Sequence, residues 1–312
     1  MQTESDLRFR NALLRVVEQR RRRAERHVAD ASKDLTRAVH ELRRICKELR
    51  ALWRIVRPLV GEETFSRENL RLRDAARGMA GARDAVVMLD TLERMRRCRR
   101  GRAARAEWRE AATALREQVA RAHGESLAPA SVESLEPAFT GMLEAVRATH
   151  DELQKIQPGE SGITWQPGVE QVYRQGRKRM KQAYASGVDA DFHNWRKSTK
   201  YLFYQLRLLE RMKLARPGKR VKALNSLEKL LGRDHDLVLL RERMISLAAG
   251  DHAPGALVID DLARASERHR KLARKPGKKL FAAKPAGFIG AIAKPPRAER
   301  PEFPPAEETT ED

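Results

Sequence analysis

Two segments of this chain resemble each other at a distance of 153 residues, and this internal repeat limits the possible folds. Val39–Val56 and Phe192–Leu209 share the pattern H-x-x-R-x-x-x-K. Its members are His40, Arg43 and Lys47 in the first copy and His193, Arg196 and Lys200 in the second. Repeats of this kind indicate a duplicated supersecondary unit. We therefore predict two pseudo-equivalent halves that face each other.

A second pair of matching patches follows the first pair. Arg83 and Asp84 belong to the first copy, and His235 and Asp236 belong to the second. The interval between the two patches is nearly the same in both copies, at 44 and 43 residues. We expect these four residues to support the binding residues, with each Asp pairing with a neighbouring Arg and orienting it.

The composition favours helices and contains few residues in the patterns that form β-strands. Ala, Leu, Arg and Glu dominate, and all four are good helix formers. Alternating Val, Ile, Thr and aromatic residues are nearly absent, and aromatics make up only 5% of the chain. Apolar residues recur at three- and four-residue spacing between the turns. The prediction is an all-α protein with roughly nine or ten helices.

Turn residues and a change in composition mark the predicted boundaries. A break at 157–168 separates a first half of about 1–157 from a second half of about 168–293. Residues 294–312 contain five prolines and six acidic side chains, and we predict a disordered tail. Further turns are expected at Gly61, Gly101, Gly124–Pro129, Gly187, Pro217–Gly218, Gly250–Gly255 and Pro276–Gly277.

The net charge predicts a polyanionic partner. The chain carries 64 Lys and Arg against 43 Asp and Glu, a formal charge of +21. Such an excess opposes compaction and concentrates anions near the surface. Arg outnumbers Lys, which favours bidentate contacts with phosphate. Charge alone leaves nucleic acid, polyphosphate and an anionic membrane as alternatives.

The first repeat segment forms a helix with one cationic face. On a helical wheel, six basic residues fall within about 100° of one another, and the apolar residues fall on the far side. No carboxylate lies on the basic face, although solvated faces usually mix both signs. An anionic ligand would offset this repulsion. The basic residues are His40, Arg43, Lys47, Arg50, Arg54 and Arg57, and the apolar ones are Leu42, Ile45, Leu49, Leu52, Val56 and Leu59.

The second repeat segment has a weaker basic strip, which Phe203 and Tyr204 interrupt. Another basic helix precedes each copy, and only part of its charge can point the same way. The binding candidates from these elements are His193, Arg196, Lys197, Lys200, Arg207, Arg20, Arg177, Lys178 and Lys181. The predicted apolar back of the second segment is Phe192, Trp195, Leu202, Leu206 and Leu209.

These residues resemble the CHAD domain, the conserved histidine α-helical domain, over about Leu7–Ala293. The resemblance rests on the paired H-x-x-R-x-x-x-K segments, the two Asp-containing patches and the closing segment Leu280–Phe288. It implies two four-helix-bundle-like halves around a central basic channel that binds inorganic polyphosphate. The chain departs from the family pattern at Glu48, Tyr201 and Phe203, which leaves open whether the two halves contribute equally.

The resemblance also implies a stand-alone binder rather than an enzyme, with targeting to polyphosphate granules as a further expectation. The E-x-E-x-K pattern of the family's frequent companion, a triphosphatase module, does not occur, and neither do P-loop, HExxH or G-x-S-x-G motifs. We predict no metal and no cofactor. Three alternatives stay open: non-specific nucleic-acid binding through the same stripes, a metal-dependent phosphohydrolase, and a scaffold whose basic face docks an acidic protein.

Cysteine usage and hydropathy suggest the compartment. Cys46 and Cys98 are too few for a disulfide scaffold. The N-terminal segment lacks the apolar core of a signal peptide, and no apolar run is long enough to span a bilayer. We expect a cytoplasmic protein that makes no membrane contact. The sequence does not predict an oligomeric state.

Overall fold

The chain is described by a computed structural model that covers residues 4–79, 83–98, 102–123, 131–157, 164–248 and 256–293. These ranges contain ten α-helices and no strand, which confirms the predicted all-α class. The expected tail at 294–312 lies outside them, as do the expected turns at Gly101, Gly124–Pro129 and Gly250–Gly255. Of the predicted break, residues 158–163 are likewise outside the described ranges.

The helices follow one another with short connections. Their bounds are α1 Glu4–Ala29, α2 Leu35–Gly78, α3 Arg83–Arg97, α4 Arg102–His123, α5 Val132–Gln154, α6 Gln166–Ser186, α7 Asp189–Arg211, α8 Lys219–Ala248, α9 Ala256–Leu280 and α10 Pro285–Ile292.

Several helix ends follow from local chemistry. The Asp34 side chain caps α2 by accepting a hydrogen bond from the amide of Arg37 at 2.9 Å. Gly187 ends α6 in the left-handed conformation at φ 70°, which glycine adopts without strain. Gly61, at φ 78°, interrupts α2 and divides it into two helical segments. The predicted turns at Gly61, Gly187 and Pro217–Gly218 are therefore confirmed.

The predicted turn at Pro276–Gly277 is wrong, because both residues lie inside α9. Gly277 serves close packing instead of a change in chain direction. A Cβ atom at this position would lie 2.7 Å from the Trp195 ring and 3.1 Å from the Met180 side chain. The absence of a side chain lets α9 approach α7 and α6 closely.

The buried residues form two cores, and each core takes helices from both halves of the sequence. The larger core is built by α1, α2, α5, α6, α7 and α10, with the beginning of α8 and the end of α9. The smaller core is built by α3 and α4 with the other ends of α8 and α9, around the fully buried Trp108. Two long helices, α8 and α9, thus run through both cores.

The predicted apolar faces of the two repeat segments are confirmed. Leu42, Ile45, Leu49, Leu52 and Val56 are at most 1% exposed in α2, and only Leu59 is half-buried. The corresponding five residues of α7 are at most 3% exposed. At roughly 1.5–3 kcal/mol for each fully buried large apolar side chain, these faces fix which sides of α2 and α7 remain available for ligands.

Within the described ranges, no helix combines the length and the apolarity needed to cross a bilayer.

Candidate functional site

An open groove of about 890 Å³ lies where α2 and α7 meet α3 and α8. Both repeat copies contribute to its walls. We call it the basic groove and define it by its lining residues, which are His40, Arg43, Arg44, Lys47, Val87, Met88, Arg196, Lys200, Tyr204, His235, Asp236, Leu239, Glu242, Arg243 and Ser246. Six of these side chains are Arg or Lys and two are carboxylates, so the walls are predominantly cationic.

The first copy supplies one wall from consecutive turns of α2. His40 is exposed, whereas Arg43 and Lys47 are half-buried beside it. The Arg43 guanidinium donates a hydrogen bond from Nη1 to the carbonyl oxygen of Met79 at 3.2 Å. That contact positions the side chain at the wall of the groove.

The second copy supplies Arg196 and Lys200 from α7. The Glu228 carboxylate on α8 lies 3.0 Å from the Lys200 ammonium and 3.6 Å from the Arg196 guanidinium. Burial lowers the pKa of Lys200 despite this partner. One carboxylate therefore holds two cations at the wall and neutralises them only in part.

Two histidines meet at the edge of the groove. The rings of His193 on α7 and His235 on α8 have centroids 4.3 Å apart. Burial, followed by repulsion from Arg196, lowers the pKa of His235 to about 4. Burial and the neighbouring Lys197 also lower the pKa of His193. Both rings are therefore neutral near pH 7, and additional negative charge would favour their protonation.

The cluster Asp234-His235-Asp236 spreads around the axis of α8. Asp234 points away from the groove and accepts a hydrogen bond from Nε of Arg270 on α9 at 2.9 Å. Asp236 lines the groove, where burial raises its pKa against the opposing effect of Arg196. Among the described residues, no group of three or more His, Cys, Asp and Glu side chains is placed to hold a metal ion.

The family model of the CHAD domain matches residues 13–244, about three quarters of the chain. The chain belongs to the CHAD domain family. A comparison with curated proteins gives no match. The matched range includes both H-x-x-R-x-x-x-K segments and His235-Asp236, which confirms the predicted resemblance. It ends before α9 and α10, so the expected closing segment Leu280–Phe288 lies outside the match.

Farther along α2 of the CHAD domain, two predicted binding residues are held by neighbours and do not line the groove. The guanidiniums of Arg50 and Arg54 both donate to the side-chain oxygen of Asn69, at 3.0 and 3.1 Å. Arg54 also stacks on the Tyr201 ring, 3.6 Å from its centroid, and burial lowers its pKa to about 10. Tyr201, a departure from the family pattern, thus forms a cation–π contact between the two repeat segments.

Arg20 occupies a different environment from the one predicted. Its side chain is buried and its Nε donates to the Glu48 carboxylate at 2.5 Å. Because a buried charge requires a partner, Glu48 fixes Arg20 between α1 and α2. Arg20 is therefore placed in the core, away from the groove, and Glu48, a second departure from the family pattern, is its counterion.

The remaining predicted cations lie elsewhere on the surface. Arg207 lies 5.9 Å from the ring of Phe203, the third departure, outside the groove lining. Lys197 and Lys178 are exposed and do not line the groove. Arg177 and Lys181 line a separate cleft between α6 and α9. The side chains of Arg83 and Asp84 lie outside the described part of the structure.

The sequence analysis missed several polar groups of the groove region, among them Arg44, Tyr204, Glu228 and Arg243. Two of them carried a detectable signal. Arg44 lies one turn after His40, and Arg243 lies two turns after His235, so the four- and eight-residue spacing placed them on the same faces. Glu228 had no such signal, since its role depends on how α8 crosses α7.

Proposed function

We propose that this CHAD domain protein binds inorganic polyphosphate in the basic groove. The observation that carries the proposal is the convergence of His40, Arg43 and Lys47 from one repeat copy with Arg196 and Lys200 from the other on a single open groove. Polyphosphate presents tetrahedral oxygens without bases, so it requires dense donors and no stacking platform. Guanidiniums can each contact two such oxygens through charge-assisted bonds.

The predicted two-half arrangement is part of this proposal. Helices α5 and α10 begin at Val132 and Pro285, 153 residues apart, which equals the shift of the repeat. The first segment of α2 corresponds to α7, α3 to the second part of α8, and α4 to α9. Each of these three pairs is in contact. Such pairing supports a pseudo-twofold relation with the groove beside its central pair, α2 and α7.

We further propose that the protein acts as a binder without catalysis and that capture of polyphosphate directs it to polyphosphate granules. A binding role is supported by the walls of the groove, whose side chains are predominantly cationic and suited to holding an anion. Incubation with polyphosphate and Mg²⁺ or Mn²⁺ tests this directly. Release of phosphate at a rate above that of a heat-denatured control would show that the protein is a hydrolase and would contradict the proposal of binding without catalysis.

A competition experiment separates polyphosphate from nucleic acid. The protein is loaded on immobilised long-chain polyphosphate and eluted with duplex DNA or free polyphosphate at equal charge concentration. We expect elution by polyphosphate alone, and a steep loss of affinity with salt because bound counterions are released. Equal elution by DNA would show a non-specific polyanion binder.

Charge-reversal variants test the groove itself. Arg43→Glu with Lys47→Glu should reduce polyphosphate affinity at least tenfold, because two donors become repulsive charges on one wall. Lys222→Glu with Lys229→Glu is the matched control, since both residues are exposed on α8 and neither lines the groove. An equal loss in the control would mean that net charge, rather than the groove, determines binding.

A further inference from the structure

A second cleft of about 440 Å³ lies between α6 and the end of α9, outside the basic groove. Its walls carry two cations from each helix: Arg177 and Lys181 on α6, and Arg274 and Lys278 on α9. No carboxylate occurs among the nine residues that line it. The α9 wall lies beyond the range that the family model matches.

The spacing of these cations is regular. Each pair is separated by four residues, so the charges on each wall lie about 6 Å apart along the helix. Like charges at this spacing destabilise a helix in the absence of a counterion. Within the described residues, neither Lys181 nor Lys278 forms an ion pair. The two helices thus hold facing rows of cations with no acidic partner in the cleft.

The walls are fixed before any ligand binds. Arg177 donates from Nε to the carbonyl oxygen of Phe281 at 2.9 Å. Arg274 lies over the Tyr184 ring, 5.3 Å from its centroid. The floor is closed by Met180 and Phe281, which are 7% and 5% exposed. A cationic rim over an apolar floor strengthens the local field, because the floor excludes water.

Helix α7 separates this cleft from the basic groove. Trp195 is fully buried and faces the cleft side, where its ring lies 6.5 Å from that of Phe281 and packs against Gly277. The next residue, Arg196, lines the groove. A layer of packed aromatic side chains therefore lies between the two sets of cations.

We propose that the second cleft is a separate site for a short run of phosphate groups, so that each chain carries two phosphate-chain sites on opposite sides of α7. The ligand class rests on the proposed function, whereas the site itself rests on the geometry of α6 and α9. An apolar ligand group has little to contact, because the floor is already closed. The cleft volume admits a single strand of phosphates and excludes a nucleic-acid duplex.

Isothermal titration with tripolyphosphate tests the inference in the full-length chain. The variant Lys181→Glu with Lys278→Glu should bind one tripolyphosphate fewer than the wild type. Arg43→Glu with Lys47→Glu should lose the groove site and keep the cleft site. The variant Lys222→Glu with Lys229→Glu removes the same charge from an uninvolved surface and should keep the wild-type stoichiometry.

Folding does not obscure this test. Each cleft substitution creates an opposite-charge pair with Arg177 or Arg274 one turn away. The opposing effect of a carboxylate in the last turn of α9 amounts to about 1 kcal/mol at most, so the variant should fold, and circular dichroism and thermal unfolding verify this. Unchanged stoichiometry in the cleft variant would overturn the second site. Loss of all binding in the groove variant would overturn it as well. If the groove variant binds like the wild type while the cleft variant loses a site, the proposed function fails and the second site stands.

Discussion

At the scale of single residues, the histidine pair determines how the protein responds to acid. His193 and His235 lie in ring contact among Arg196, Lys197 and Lys200 of α7 and Asp236 of α8. The folded state holds both rings neutral, since burial and the surrounding cations disfavour the imidazolium form. The unfolded chain has no such preference, and this difference makes stability depend on pH.

We predict that the free energy of unfolding falls as the pH is lowered from about 6.5 to about 4. In this window, the unfolded chain binds a proton at His235 that the folded chain does not, because its folded pKa is about 4. The loss from this residue amounts to at most about 3 kcal/mol. Urea unfolding at pH 7 and pH 4.5 measures it.

The control for this prediction is His235→Gln. Acid effects from carboxylates are common to both proteins, so the variant should lose less stability between the two pH values. Saturating polyphosphate should also reduce the loss in the wild type, because phosphate stabilises the protonated rings. Identical pH dependence in variant and wild type would contradict the assignment.

The buried pair of Arg20 and Glu48 gives a second prediction at this scale. Glu48→Leu should destabilise the protein by about 3–5 kcal/mol, because it leaves the Arg20 charge buried without its partner. Arg20→Met combined with Glu48→Leu should recover most of this loss. Chemical denaturation of Glu48→Leu, Arg20→Met and the double variant measures the coupling. If Glu48→Leu alone has no effect, Arg20 is not held in the core.

At the scale of helices, two glycines inside α5 and α9 have opposite roles. A Cβ at Gly141 in α5 meets nothing within 4 Å, whereas one at Gly277 in α9 would overlap the Trp195 ring. Gly141→Ala should therefore stabilise the protein by up to about 1 kcal/mol through helix propensity. Gly277→Ala should destabilise it by about 1–3 kcal/mol through overpacking. Thermal unfolding compares the matched pair, and equal shifts would contradict this packing.

The sequence predicted which faces of the helices are buried, but it did not predict the role of Gly277. Apolar periodicity identified the buried faces of α2 and α7 correctly, because burial leaves a regular pattern along one helix. Gly277 was interpreted as a turn because close packing and chain reversal both select glycine. The pattern within a segment cannot distinguish them, since the difference lies in Trp195, 82 residues away.

For the candidate site too, the sequence predicted what depends on one segment and missed what depends on contacts between helices. His40, Arg43, Lys47, Arg196 and Lys200 were predicted from the repeat, and all five line the groove. Some predicted cations lie elsewhere because they have partners on other helices. Arg54 belongs to the same basic face of α2 as Arg43, and Arg20 belongs to the basic helix that precedes it. Those partners, Glu48 and Tyr201, depend on how helices cross, which spacing along a single helix does not specify.

At the scale of the whole molecule, the two cores should differ in stability. The smaller core contains far fewer large buried side chains and depends on the outer ends of α8 and α9. We predict that amides of α3 and α4 exchange with solvent at least tenfold faster than amides of α2 and α7. Hydrogen exchange measured by mass spectrometry tests this, and uniform protection across all helices would show a single cooperative unit.

The position of the groove relative to these cores has a mechanical consequence. The lining residues on α2 and α7 belong to helices of the larger core, and those on α3 and the second half of α8 belong to helices of the smaller core. An anion bound in the groove would therefore contact helices of both cores. Its binding would reduce the motion of the two helical bundles relative to each other. Release of the ligand would return the smaller bundle to its own, looser motion.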